Sequence, residues 1–291
     1  SRFYGGPMDA AQGAMNEWPI DENYVDYTAD NPEGGVINDP EQFPDITPSL
    51  LAALVARGGT ENYATGYHAI EYMLWGQRRD QLEGPGDRAY TDFVDGGTAM
   101  NQDRRRKYLE TITLMLLEAL RSVDKEWDLS DEKSYGAKFV AGDPHEAVTL
   151  IYRGFSQQLI AEILYERLAA PFLSKDRKDE QSCFSESTWE DLIANMLGVE
   201  HVYDGDYGEI EGPGLGDLIV AKDPDVDERL RKRLRLNREA IENIIPPLDH
   251  AILADPSSEE YMRVEDAVDS FEPLLDLLRE GSDTLDIVNN L

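Results

Sequence analysis

His68 and Glu71 stand three residues apart in the stretch Gly66-Tyr67-His68-Ala69-Ile70-Glu71-Tyr72-Met73-Leu74-Trp75-Gly76-Gln77. On a helix that spacing puts an imidazole and a carboxylate on one face, where they can converge on a cation or share a hydrogen bond. The spacing alone is cheap. Acids fill about 0.2 of the positions, so four histidines would yield about 0.8 such pairs by chance. The sequence holds two, the other being His201-x-x-Asp204. Two donors also do not complete a divalent-ion site, which needs about four to six. The remainder must come from elsewhere in the fold.

The other chemistry-bearing motifs read more plainly. His145-Glu146 begins like a zinc-peptidase helix, but Thr149 stands where the second histidine belongs. Asp143-Pro144-His145-Glu146 is instead a helix start, with Asp143 as cap and Pro144 at the first position. Asp204-Gly205-Asp206-Tyr207-Gly208 hints at a calcium loop, yet the twelfth position from Asp204 is Leu215 rather than Glu. Gly212-Pro213-Gly214-Leu215-Gly216 lacks the Lys-Ser/Thr of a phosphate loop. Cys183 has no histidine close in sequence and reads as a small buried thiol. The basic runs 104–107 and 229–238 alternate with acids or apolar residues and read as solvated helix faces.

Helices must position these groups. Thr47-Pro48 reads as cap and first turn of a helix carrying Leu50, Leu51, Leu54 and Val55, stopped at Gly58-Gly59. A second helix holds Tyr63 to Trp75 and stops at Gly76, and a long one runs from about Asp103 to Val123. From Asp143 an apolar stripe of Val148, Ile151, Tyr152, Phe155, Leu159 and Ile163 runs to about Phe172. Ser187 starts another helix, expected to end at Gly198. Asp223-Pro224 opens one reaching Ile245, and Ser257–Leu291 is helical with a break at Pro273. Residues 31–45 read as an exposed loop, and 203–216 as the most flexible composition. No alternating strand pattern is evident, so the fold class is all-α, built as helical bundles.

With 59 acids against 27 bases over 291 residues, the formal net charge is -32. Such a field opposes a phosphate backbone, so nucleic acid is excluded as a partner. At 41% hydrophobic residues the chain is globular despite its charge. No apolar run reaches the roughly 18 residues a membrane span needs. A single cysteine precludes an internal disulfide. The opening Ser1-Arg2-Phe3-Tyr4 shows neither Met nor a signal-peptide pattern, and a processed or truncated chain is expected.

Read together, several segments resemble the imelysin family, known from bacterial iron-regulated proteins and historically classed as metallopeptidases. The helix Gly66-x-His68-x-x-Glu71 with the following Leu74-Trp75-Gly76-Gln77 carries the most specific match. Upstream, Arg2-Phe3, Gly6-Pro7-Met8-Asp9 and Asn16-Glu17-Trp18-Pro19-Ile20-Asp21-Glu22 are similar to the family's pattern. Downstream, Glu166-Arg167, Asp179-Glu180-Gln181-Ser182-Cys183-Phe184-Ser185 and Val202-Tyr203-x-Gly205 continue it in order. Gln181 departs from the family's usual His after Asp-Glu, so this position supplies no expected ligand. The family's further helices before Arg-Phe are absent, so the first bundle is expected to be incomplete.

The resemblance implies two related four-helix-type bundles packed side by side, residues 1–142 and 143–291, with a boundary near Ala141–Asp143. It implies a functional site near their interface, with His68 and Glu71 as metal-binding residues. Glu17, Asp21, Glu166 and Arg167 are the candidates to face them. It further implies a periplasmic or outer-envelope protein of iron uptake, meeting envelope uptake partners and binding a divalent metal, iron or an iron-containing ligand. Two alternatives stand beside it. One is a zinc endopeptidase of the imelysin type, which needs three protein ligands, an open position and a general base. The other is an ion-free cluster in a partner-binding protein, with Arg167 neutralising Glu71.

Overall fold

The computed structural model describes residues 6–7, 11, 14–16, 18–57, 64–78 and 84–288. Among the described residues the regular secondary structure is helical, apart from one two-stranded ribbon. Two compact units divide the chain: the described residues of Pro7–Ser134 with Ser182–Ser185 form the first, and those of Tyr135–Gln181 with Glu186–Leu291 the second.

The first unit contains α1 (Glu22–Val25), α2 (Pro48–Arg57), α3 (Tyr67–Trp75), a 3-10 turn at Tyr90–Phe93 and α4 (Gln102–Glu126). Thr47 caps α2 as its sequence predicts, its Oγ1 accepting from the Leu50 amide at 3.2 Å. The stop expected at Gly58-Gly59 and the start at Tyr63 lie outside the described residues. Residues 31–45 form a loop, but not a wholly exposed one. Val36 and Ile37 are buried in the core with Val25, Leu51, Tyr72, Met73, Tyr108 and Ile112. Two adjacent apolar residues among turn formers give no periodicity, so only the packed fold reveals their burial.

Charge holds this loop-rich unit together. Asp26 is fully buried and meets Arg88 Nη1 at 2.7 Å, Arg105 Nε at 2.7 Å and Arg105 Nη2 at 2.9 Å. Arg105 Nη1 also donates to the carbonyls of Asp92 and Met100, both at 3.0 Å. Asp92 accepts from Tyr27 Oη at 2.5 Å and Thr98 Oγ1 at 2.9 Å. Burial and the hydrogen bond to Asp92 push the Tyr27 hydroxyl up to about 12. Two buried carboxylates thus face two guanidiniums, and the neutralised cluster ties α1, the 3-10 turn and α4 into one frame.

In the second unit, α5 (Tyr135–Ala141) precedes α6 (Pro144–Gln157). Asp143 caps α6 as expected, accepting from the His145 amide at 2.9 Å and the Glu146 amide at 3.0 Å. The chain continues through a π-helical stretch, Gln158–Ala169, into α7 (Ala170–Ser174). After a 3-10 turn at Arg177–Asp179 come α8 (Thr188–Asp204), α9 (Leu215–Val220), α10 (Pro224–Glu242), α11 (Leu248–Leu253), α12 (Glu259–Asp269) and α13 (Glu272–Thr284). Their apolar stripes form one core, including Tyr152, Phe155, Ile163, Leu230, Leu234, Phe271 and Leu278. Pro273 stands in the first turn of α13, consistent with the expected break.

Gly198 does not end α8, which continues to Asp204 and is closed by Gly205 in the left-handed conformation. A single glycine costs only about 1 kcal/mol inside a helix, and core packing of Met196, Val199 and Tyr203 outweighs it. The ribbon of β1 (Asp206–Tyr207) and β2 (Ile210–Glu211) occupies the glycine-rich stretch read as the most flexible. His201 pairs with Asp206 at 2.8 Å rather than with Asp204, which holds Arg231.

Candidate functional site

The helix α3 begins where backbone meets backbone. Gly66 has φ +88°, and a Cβ there would lie 2.5 Å from the Met15 carbonyl oxygen. A side chain is excluded on both counts, which gives the first glycine of the Gly-x-His-x-x-Glu pattern a physical reason. Gly76 closes the helix at φ +77°, donating to the Tyr72 carbonyl at 2.7 Å.

Between these glycines, His68 and Glu71 share the buried face with Ala69, Tyr72 and Met73. His68 Nδ1 lies 3.3 Å from Glu71 Oε2. The other carboxylate oxygen, Oε1, accepts from the Ser185 amide at 2.8 Å and from Ser185 Oγ at 2.7 Å. Glu71 is therefore gripped from both sides. As an acceptor at Oε2 it favours the His68 tautomer with the proton on Nδ1, which leaves Nε2 with its lone pair. Nε2 is buried and has no hydrogen-bond partner among the described residues.

Aromatic rings surround the imidazole. Trp18 meets His68 edge to face at a centroid distance of 4.8 Å and Phe184 at 5.7 Å. Phe184 in turn packs on Tyr72 at 5.2 Å, and Tyr72 Oη donates to the Tyr27 carbonyl at 2.8 Å. The site is thus a carboxylate–imidazole pair in an aromatic wall, with one ring nitrogen open. That is the arrangement in which a carboxylate orients a metal-binding histidine through its far nitrogen.

The remaining sequence candidates fall as follows. Glu17 lies outside the described residues. Asp21 precedes α1 in the same unit, half-buried, and its carbonyl accepts from the Tyr24 amide. Glu166 and Arg167 belong to the other unit, on the π-helical stretch. Glu166 is exposed, and Arg167 Nη2 pairs with Glu162 Oε2 at 3.2 Å. The five-residue spacing of that pair follows from the π register, which stacks residues i and i+5. Cys183 is buried, as its sequence context indicates.

Ser185 and Trp18 touch the pair, which residue types alone did not reveal. Both lie inside segments that follow the family pattern, and that order along the chain is the signal that could have found them. Within the first unit, no third described His, Cys, Asp or Glu completes a three-donor group with His68 and Glu71. Among the described residues, such a group does occur in the second unit, at Glu186, Asp249 and His250. No helix among the described residues is long and apolar enough to cross a membrane.

Comparison with known proteins matches this architecture. A crystal structure from Parabacteroides distasonis, described as an iron-regulated protein A precursor, superposes with a TM-score of 0.72 at 16% identity. The alignment covers 98% of this chain and 78% of that one, and at this identity it establishes the fold. No curated protein matches. The family model described as Imelysin matches residues 1–278, spanning the glycine-bounded His68–Glu71 helix and the Ser185 loop that grips it, and the chain belongs to the imelysin family.

Proposed function

We propose that this chain is a cell-envelope binding protein of iron acquisition, which takes a metal ion or an iron-containing ligand at His68. The observation that carries the reading is the open Nε2 of a buried imidazole whose other nitrogen is held by Glu71. A buried acceptor left unsatisfied costs about 1–3 kcal/mol, which weighs against an ion-free cluster as the purpose of the pair. Imidazole suits iron and zinc alike, and the acidic surface raises the local concentration of cations. Glu71 serves here as a positioning residue, since Ser185 and His68 already engage both its oxygens.

The structural neighbour is described as an iron-regulated protein precursor, which supports an iron-related role and export. Envelope uptake partners would then receive the cargo. The endopeptidase reading requires three ligands and a base, and the first unit supplies His68 without a described three-donor group.

Titration of the metal-free protein with ferrous and zinc ions, read by calorimetry, tests the proposal. The ion bound at His68 is expected to be lost in His68→Ala, lowering the stoichiometry by one per chain, and to bind about 10–100-fold more weakly in Glu71→Gln. A stoichiometry and affinity unchanged in His68→Ala overturn it. Chelator-sensitive peptide cleavage that depends on His68 would establish the endopeptidase in its place.

A further inference from the structure

Glu186, Asp249 and His250 each offer a donor atom, and the three atoms lie within 4.8 Å of one another. All three residues belong to the second unit. Glu186 comes from the turn ahead of α8, while Asp249 and His250 are neighbours in the first turn of α11. Nothing in the spacing along the chain announces the group, because the 62 residues between Glu186 and Asp249 separate them only in sequence, as α8 to α10 fold back.

We propose that this triad is a second cation site, for a divalent first-row transition ion, independent of the reading given to His68. Its donor set is mixed: one imidazole nitrogen and two carboxylate oxygens, which suits manganese, iron, cobalt or zinc better than an all-oxygen calcium site. Donors about 2.0–2.2 Å from a shared ion stand at most about 4.4 Å apart, so atoms within 4.8 Å of one another need only a small side-chain adjustment to close on one ion. Burial is graded in a way that admits an ion. Asp249 is fully buried, Glu186 is half-buried and His250 is exposed, so the site opens to solvent on the histidine side.

The electrostatics favour a cation as well. Arg177 Nε meets Asp249 Oδ2 at 3.1 Å and fixes that carboxylate. Carboxylates held close together repel, and a cation among them relieves that repulsion, more for a fully buried member than for an exposed one. A transition ion would do so and use the imidazole at the same time.

The experiment uses untagged full-length protein stripped of metal, with Co2+ as probe and visible absorption plus calorimetry as readouts. His68→Ala serves as the parent, so that the histidine of α3 contributes nothing. The parent is expected to bind one Co2+ with a d–d spectrum. Adding His250→Ala is expected to weaken that binding by about tenfold or more, since an ordinary ligand is lost. Asp249→Asn should do the same, with circular dichroism confirming the fold. His250 is exposed, so its variant decides the question if the buried Asp249 variant does not fold. Glu186 is left unaltered because it adjoins Ser185, which holds Glu71. Co2+ binding in the parent that survives His250→Ala unchanged overturns the proposal, as does a parent that binds no Co2+. A fall of one bound Co2+ per chain between the unaltered protein and His68→Ala bears on the α3 site alone, so the two readings fail separately.

Discussion

The two units solve the same problem of burial by different means. The second encloses an apolar core of helical stripes, with Leu230, Leu234, Phe271 and Leu278 among its fully or nearly fully buried members. Among its described residues the first has fewer helices, joined by long loops, and at its centre Asp26 is buried against Arg88 and Arg105. Burial by itself would lower the Arg105 proton affinity, but its hydrogen bonds and attraction to Asp26 more than offset that, so its charge is retained. Loops cannot satisfy their backbone groups by regular ladders, and guanidiniums supply the missing donors. Arg104, for example, donates to the carbonyls of Val36, Ile37, Phe43 and Pro44. The loop-rich unit is organised by directional polar contacts, and the other by volume.

This contrast is sharpest under substitutions that keep shape and change chemistry. Asp26→Asn preserves volume but leaves two buried guanidiniums without their carboxylate. A loss of about 3–5 kcal/mol is expected, as when one partner of a buried ion pair is removed. Leu230→Met, an isosteric change in the apolar core, is expected to cost less than about 1.5 kcal/mol. Urea unfolding of both variants checks the pair, and equal costs would erase the distinction drawn between the cores.

A smaller effect is expected where the polar frame meets the candidate site. Ser185→Ala removes one of two donors to Glu71 Oε1 and should cost about 1.5–3 kcal/mol if the bond to a charged acceptor is fully realised. Metal affinity should fall with it, because Glu71 would no longer hold His68 in place. Unchanged affinity at reduced stability would separate the Ser185 loop from function.

The smallest expected effect is alkaline. Tyr27 ionises at 10.0 when unperturbed and at about 12 in the fold. Its contribution to stability is therefore fully present below pH 10 and is lost as pH rises through about 12, since the unfolded chain gives up the proton first. Tyr152 and Tyr203 in the second unit are also raised by burial, so both units should weaken in that range. An ultraviolet tyrosinate titration followed alongside unfolding tests this, and stability constant up to pH 12 would contradict it.

Much of the second unit was legible from its residues. Asp143-Pro144 and Asp223-Pro224 start helices where their side chains accept the first free amides, and Pro273 marks a break. These are local effects, decided within a few residues. Gly198 misled because a helix interrupter is overruled when its neighbours are packed. In the first unit, the order of motifs along the chain located His68 and Glu71, and Gly66 and Gly76 delimit their helix as the pattern required.

The sequence by itself determined the helical class, the family, and the imidazole and carboxylate on one face of α3, because helix periodicity and capping act between near neighbours. Tertiary structure alone decided which Glu71 oxygen meets Ser185, which ring nitrogen of His68 stays open, and which acids among 59 join Arg88, Arg105 or His250. Those pairings link residues tens of positions apart. A chain this rich in acids offers many equivalent partners, and only folding brings particular ones within hydrogen-bonding distance.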